Sequence, residues 1–354
     1  MLIYWLLLAI PAAGSFLFAR QPGHPEQPNS IIFLWFFIAF YCLMAGLRHE
    51  TGGDWATYWF MTHYIRNADL GQAMAFTDAG FGLVSYVSLR LGTDLYGINF
   101  FCAAALVIGC ARLAWRTPSP WIALMSAVPY ILIVIGMGYL RQAAAMGFIL
   151  LSLVNLIERN WVRGLIYFVC ALLLHISAIV VVPVVALVAA RRNPFLFLPI
   201  ALFGAFAFFF LLSGKRMDQF EAGYIKQNYE SAGALVRLLM NFVPAVLFLM
   251  NRRRVLVPPD EKLLWTLVSW ISIGFVVFFP LISATTALDR TGLFFAPLQI
   301  FVFGYFLQIM QAQGRASSIY ILGLILYLIF VQLIWLFFAE HSYLWVPYKS
   351  VIFA

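Results

Sequence analysis

Residues 121–138 read WIALMSAVPYILIVIGMG, residues 139–142 read Tyr-Leu-Arg-Gln, and residues 143–157 read AAAMGFILLSLVNLI. Each apolar run approaches the roughly 20 residues with which an α-helix crosses a ~30 Å hydrocarbon core. A strand does not stay apolar for so long, and the helix of a soluble domain keeps a polar face. The stretch therefore predicts two membrane helices that turn at Arg141. The pattern recurs at 2–19, 31–47, 97–115, 195–213, 235–250, 263–283, 291–310 and 318–338. Residues 161–190 are too long for one span. His175-Ile176-Ser177 interrupts them, with Pro183 beyond, so they predict two helices that turn near His175. The expectation is an all-α polytopic protein of about twelve transmembrane helices, organised as a single integral membrane domain over 1–354.

Composition agrees. The chain is 64% hydrophobic and 10% charged, where soluble proteins average about half apolar and about a quarter charged. Nothing is left over for a soluble catalytic domain. The net charge of +8 would suggest nucleic acid in a soluble protein. Here the basic residues gather at segment ends, the signature of membrane orientation, so no nucleic-acid partner is expected. Cys42, Cys102, Cys110 and Cys170 all lie in apolar runs without metal-ligand spacing, and they read as small buried hydrophobes. Residues 1–19 lack a basic leading region and contain Pro11, which reads as a first membrane helix rather than a cleaved signal.

The basic clusters fix an orientation. Arg112 with Arg116, Arg159 with Arg163, Arg191 with Arg192, Arg252 to Arg254 with Lys262, and Arg315 fall in alternate loops. Placing these inside leaves 48–96, the turn at Arg141, the turn at His175, 214–236, 284–290 and the C-terminus outside. The loop 214–236 fits this rule least well, because it holds Lys215, Arg216 and Lys226, offset by Asp218, Glu221 and Glu230. Within 48–96, Trp55, Tyr58, Trp59 and Tyr64 predict an amphipathic helix in the membrane interface, and 81–91 is short enough to be interfacial or re-entrant.

Five polar residues at the ends of apolar runs fall on that outer side: Arg48, Asp54, Arg141, His175 and Arg290. Ionisable groups at membrane depth are costly and mark sites or pathways. Arg48 and Asp54 flank Gly52-Gly53, which suits either an anion site or an interfacial turn with an ion pair. Arg141 opens a helix with Gln142 beside it. The helix dipole there favours anions, so one negative ligand would satisfy both; the bland alternative is a snorkelling side chain. His175 is either a structural histidine at a helix break or a base. Asp289-Arg290 is either a local ion pair capping a helix or part of the site. Arg66, Arg90 and Arg237 read as interface anchors. Together, three outward guanidinium groups, a histidine and an aspartate without a metal pattern describe a site for a di-anionic group. Asp54 or His175 would be the general base.

Several short motifs carry a resemblance: Arg48 followed by Gly53-Asp54 and Tyr58, Asp78-Ala79-Gly80-Phe81, Leu140-Arg141-Gln142, His175-Ile176-Ser177-Ala178 with Pro183, and Asp289-Arg290. In their order the chain resembles the EpsG-like members of the Wzy-type polymerases of O-antigen and exopolysaccharide, most closely over 48–188. The resemblance implies a GT-C-like fold in the bacterial inner membrane with the active site facing the periplasm. It implies metal-independent transfer of a growing glycan from undecaprenyl diphosphate to the next lipid-linked repeat unit, without a cofactor. The implied partners are that lipid-linked oligosaccharide, the bilayer and a chain-length regulator. In such an enzyme Arg48, Arg141 and Arg290 would hold the diphosphate. Asp54 would be the first choice of base and His175 the second, with Gly53, Tyr58, Gln142 and Asp289 in support. A transporter or flippase of lipid-linked saccharide would use the same cations without a base. A membrane acyltransferase is a third reading, less favoured because its histidine usually lies near the N-terminus, where His24 and His49 lack that context.

Overall fold

The computed structural model describes residues 1–18, 28–192, 195, 198, 202, 233–281, 285–312 and 317–352. Most of the expected span 195–213, most of the loop 214–236 with its charges, and Arg315 lie outside these residues. The regular structure is helical; among the described residues the one β-type pairing is an antiparallel bridge between Arg48 and Ser350. Eight helices among the described residues are long and apolar enough to cross a membrane, and Leu2–Leu17, Trp161–Leu174 and Ile176–Arg191 are shorter apolar helices. The protein is thus a polytopic helical membrane protein.

In chain order the helices used below are α1 (Leu2–Leu17), α2 (Pro28–Gly46), α3 (Trp55–Arg66), α4 (Leu70–Phe76), α5 (Ala79–Arg90), α6 (Asp94–Ala114), α7 (Pro120–Gly138), α8 (Leu140–Ile157), α9 (Trp161–Leu174), α10 (Val182–Arg192), α11 (Ala234–Asn251), α12 (Pro259–Phe278), α13 (Thr285–Gly292), α14 (Leu298–Ala312) and α15 (Ser318–Phe338). The break expected at His175 is present: α9 stops at Leu174, and a 3-10 turn, Ile176–Val181, precedes α10. The described residues form two compact units, Met1–His175 with Phe303–Ala354, and Ile176–Val302.

In the first unit α7 is the central element. It is apolar around its whole circumference and fully enclosed by protein. Pro129 has no N–H to give, and Val128–Ile135 winds as a looser π-helix. Its carbonyls meet side-chain donors from outside the helix. The Tyr41 hydroxyl donates to Leu132 O at 2.8 Å and the Trp345 indole to Ile133 O at 3.4 Å.

Next to α7, α6 and α8 run in the same direction. Apolar surface alone does not join helices in lipid, because the acyl chains are equally apolar; close backbone approach at small residues does. A Cβ added to Gly147 would stand 2.2 Å from Ala105 O, and one added to Gly109 would stand 2.5 Å from Gly147 O. Gly147→Ala is therefore expected to force α6 and α8 apart and cost about 1–3 kcal/mol, read as a lower thermal midpoint in detergent. An unchanged midpoint would contradict this packing. At the far end of the same pair, Arg112 and Arg116 both reach Glu158, at 3.2 and 3.1 Å.

Residues 48–96 form three short helices rather than one loop. α3 has 12 residues, about 18 Å at ~1.5 Å per residue, too short to span. It buries Tyr58, Met61, Thr62 and Ile65 and exposes Trp59, Phe60 and Tyr64, the amphipathic division expected at an interface. α5 has the same length and packs on α3, α6 and α9.

In the second unit α11 and α12 pair, and α11 carries a polar seam. Asn241 donates to Gly292 O at 3.2 Å and accepts from Gln299 at 2.9 Å. One turn earlier, Arg237 grips Asp289 through two bonds of 2.8 Å. The reading of Arg237 as an interface anchor is thereby corrected. Its side chain is 12% exposed and faces a carboxylate inside the unit instead of the lipid boundary.

Candidate functional site

α7 ends at Gly138, and Tyr139 leaves helical geometry at φ −128°, ψ 70° before the chain re-enters a helix at Leu140. That sharp restart places Arg141 in the first turn of α8. A guanidinium there opposes the helix dipole, and it has a partner that answers this. Its Nη1 donates to Asp78 Oδ2 at 3.1 Å and to Thr77 Oγ1 at 3.4 Å. The backbone N–H of Arg141 points to the Tyr58 hydroxyl at 3.5 Å.

Asp78 comes just before α5, the position from which an aspartate ordinarily caps its own helix. It makes no such bond. Its Oδ2 instead lies between Arg141 and His175, 3.2 Å from His175 Nδ1. His175 occupies the break after α9 in extended backbone, φ −159°, ψ 115°, which points its ring out of the helical register. Gly80 permits the approach, since a Cβ there would stand 2.9 Å from Leu173 Cβ on α9. Asp78 and His175 have side chains 9% and 10% exposed, whereas that of Arg141 is 36% exposed. The carboxylate and imidazole are enclosed, and the Arg141 side chain is the most open of the three.

Tyr58 completes the wall. It packs on Phe81 with ring centroids 5.5 Å apart. Burial pushes its hydroxyl pKa well above the ordinary phenol value and the Asp54 charge adds to this, while Arg141 pulls the other way. The hydroxyl stays neutral as a hydrogen-bonding group. Asp54 lies within electrostatic range of both Tyr58 and Arg141, although it does not cap α3. Gln142 follows Arg141 and is buried, with its Oε1 making no hydrogen bond.

The structure thus brings together Arg141, His175 and Tyr58, with Asp54 nearby. It adds Asp78, which sequence reasoning recorded in a motif but not as a site residue. Arg48 is placed elsewhere. It is 2% exposed, and its guanidinium donates to Ala45 O and, at 3.0 Å, to Thr51 O. Ala45 lies in the last turn of α2, whose terminal carbonyls lack partners within the helix. Arg48 is thus engaged by that helix end and its following turn. Asp289 and Arg290 belong to the second unit on α13, where Asp289 is engaged by Arg237.

A multi-span helical membrane protein with an enclosed Arg–Asp–His cluster at one helix end is equipped to hold an anion and to move a proton. The sequence profile of the EpsG family matches residues 31–350, and the chain belongs to that family. This is a Wzy-like polysaccharide polymerase family, so the role is of the polysaccharide-polymerase type. No curated protein and no solved structure matches the chain.

Proposed function

We propose that this chain is a metal-independent glycosyltransferase that polymerises lipid-linked repeat units, acting from the periplasmic side of a bacterial inner membrane. In this reading about twelve spans form a GT-C-like domain. The donor is a glycan on undecaprenyl diphosphate and the acceptor is the next lipid-linked unit. The observation that carries the reading is the Asp78 carboxylate set between Arg141 and His175.

The chemistry follows from that placement. The bond between the anomeric carbon and the diphosphate oxygen breaks, and the electron pair leaves with undecaprenyl diphosphate. The Arg141 guanidinium meets this growing charge, an interaction stronger in the transition state than before it. The acceptor hydroxyl bonds to the anomeric carbon and gives up its proton. His175 takes that proton: Asp78 holds Nδ1, fixing the ring so that Nε2 serves as base. Asp54, the first choice from the sequence, becomes the second, because His175 has the orienting carboxylate while Asp54 stands within electrostatic range of the same guanidinium. Tyr58 and Gln142 shape the pocket around the phosphate oxygens.

Purified protein in nanodiscs, given its lipid-linked repeat unit in excess chelator, is expected to extend the glycan chain. No elongation across a set of repeat units would overturn polymerisation. Flipping of the same lipid without elongation would favour the transporter. A cysteine placed at exposed Tyr343 should label from outside the cell; protection there would overturn the periplasmic placement.

A further inference from the structure

The segment after α15 forms a strap over the turn between α2 and α3. Leu47 O accepts from the Ser350 hydroxyl at 2.7 Å and from the Val351 N–H at 3.1 Å. Met44 O accepts from the Tyr348 hydroxyl at 2.6 Å. The His49 N–H donates to Lys349 O at 2.9 Å, and the Gly52 N–H donates to Leu344 O at 2.8 Å. Lys349 also pairs with Glu50 at 2.7 Å and holds that carboxyl below its ordinary pKa. The strap therefore supplies partners for much of a helix end that would otherwise lack them.

One side chain of the strap reaches deeper. Trp345 is 1% exposed, and its indole donates to Ile133 O in the π-helical part of α7. Its carbonyl accepts from the Tyr4 hydroxyl at 2.6 Å. The indole lies against two glycines at once. A Cβ on Gly138 would meet it at 2.7 Å, and a Cβ on Gly53 at 3.2 Å. Gly138 precedes Tyr139, where the chain breaks to aim Arg141. Gly53 precedes Asp54. Beside it, Gly52 has φ +109° and no space for a side chain, because a Cβ would stand 2.1 Å from Met137 O.

We infer that Trp345 is a positioning residue, a wedge that holds the Asp54 turn and the Arg141 helix start in fixed register. It touches no substrate. It acts through the two segments it touches, whose misplacement by ~1 Å is enough to cost a large factor in rate. The inference rests on the polymerase reading for its activity arm alone; its second arm needs no activity.

The test compares full-length wild type, Trp345→Phe and Trp345→Ala in nanodiscs. In Trp345→Ala, amide hydrogen exchange is expected to rise about tenfold in 137–142 and in 51–55 together, while the middle of α6 is unchanged. In the activity arm, KM for the lipid-linked donor rises about tenfold, following the loosened Arg141. Trp345→Phe keeps an aromatic wedge and is expected to recover most of both. A uniform rise in exchange across all helices would show a merely structural tryptophan and overturn the inference. So would loosening of one segment without the other. If wild type makes no polymer yet the two segments loosen together, the polymerase reading fails and the wedge stands.

Discussion

Asp78→Asn is expected to lower the elongation rate by ~10²- to 10³-fold while leaving yield and thermal midpoint near wild type. Asparagine keeps the volume and removes the charge. Two functions are lost together, because one oxygen faces both Arg141 and His175. The imidazole no longer has an anion to fix its tautomer and stabilise its protonated form, and the guanidinium loses the contact that sets its direction. Stability is spared because asparagine keeps a hydrogen-bonding oxygen between its neighbours, and the Arg141 side chain is 36% exposed, so water reaches it. Arg141→Lys should fall nearly as far, since an ammonium is a point charge without the planar fork that matches phosphate. A double substitution of Asp78→Asn with His175→Ala should cost little more than either alone, as expected of residues that act as one unit. Turnover within tenfold of wild type in Asp78→Asn, at matched protein, would remove this carboxylate from the chemistry.

The prominence of Asp78 was not legible in the sequence for a physical reason. Before a short helix an aspartate is the ordinary N-cap residue, so position alone assigns it a local partner. Its real partners lie 63 and 97 positions away. Arg141 and His175 were legible because each interrupts a long apolar run, where a polar residue needs a reason. Arg48 invites the same logic but has partners close to it in the chain. An isolated arginine after a span looked like a ligand group, but a helix end offers carbonyl acceptors, and the folded chain gives Arg48 to Ala45 and Thr51. Trp345 was invisible for the opposite reason. A tryptophan in an apolar chain carries no signal until the glycines it touches, Gly53 and Gly138, are brought to it. Eight of the expected spans are long and apolar enough to cross a membrane among the described residues, readable because hydrocarbon thickness sets their length. Residues 161–190 divided where expected because His175 and the 3-10 turn after it cannot continue α9.

In the second unit, Arg237→Ala is expected to destabilise the protein by about 3–5 kcal/mol, the cost of breaking an enclosed ion pair from one side. Arg237 and Asp289 meet through two parallel 2.8 Å bonds, with side chains 12% and 9% exposed. Water cannot easily take the place of either partner. Asp289→Ala breaks the same pair from the other side and should cost a similar amount. The informative variant is the double replacement Arg237→Met with Asp289→Leu. It removes both charges and fills the volume, so most of the stability should return, as it does when enclosed ion pairs give way to apolar contacts. Thermal inactivation of wild type, Arg237→Met, Asp289→Leu and the double replacement closes a cycle whose coupling measures the pair itself. Equal loss in the double and in the single substitutions would mean that the pair is not an isolated clamp. The seam through Asn241, Gln299 and Gly292 would then be the true unit of stability. That seam starts one helical turn from Arg237 on the same face of α11. Asn241→Leu, which removes its central member and leaves the ion pair intact, tells the two cases apart.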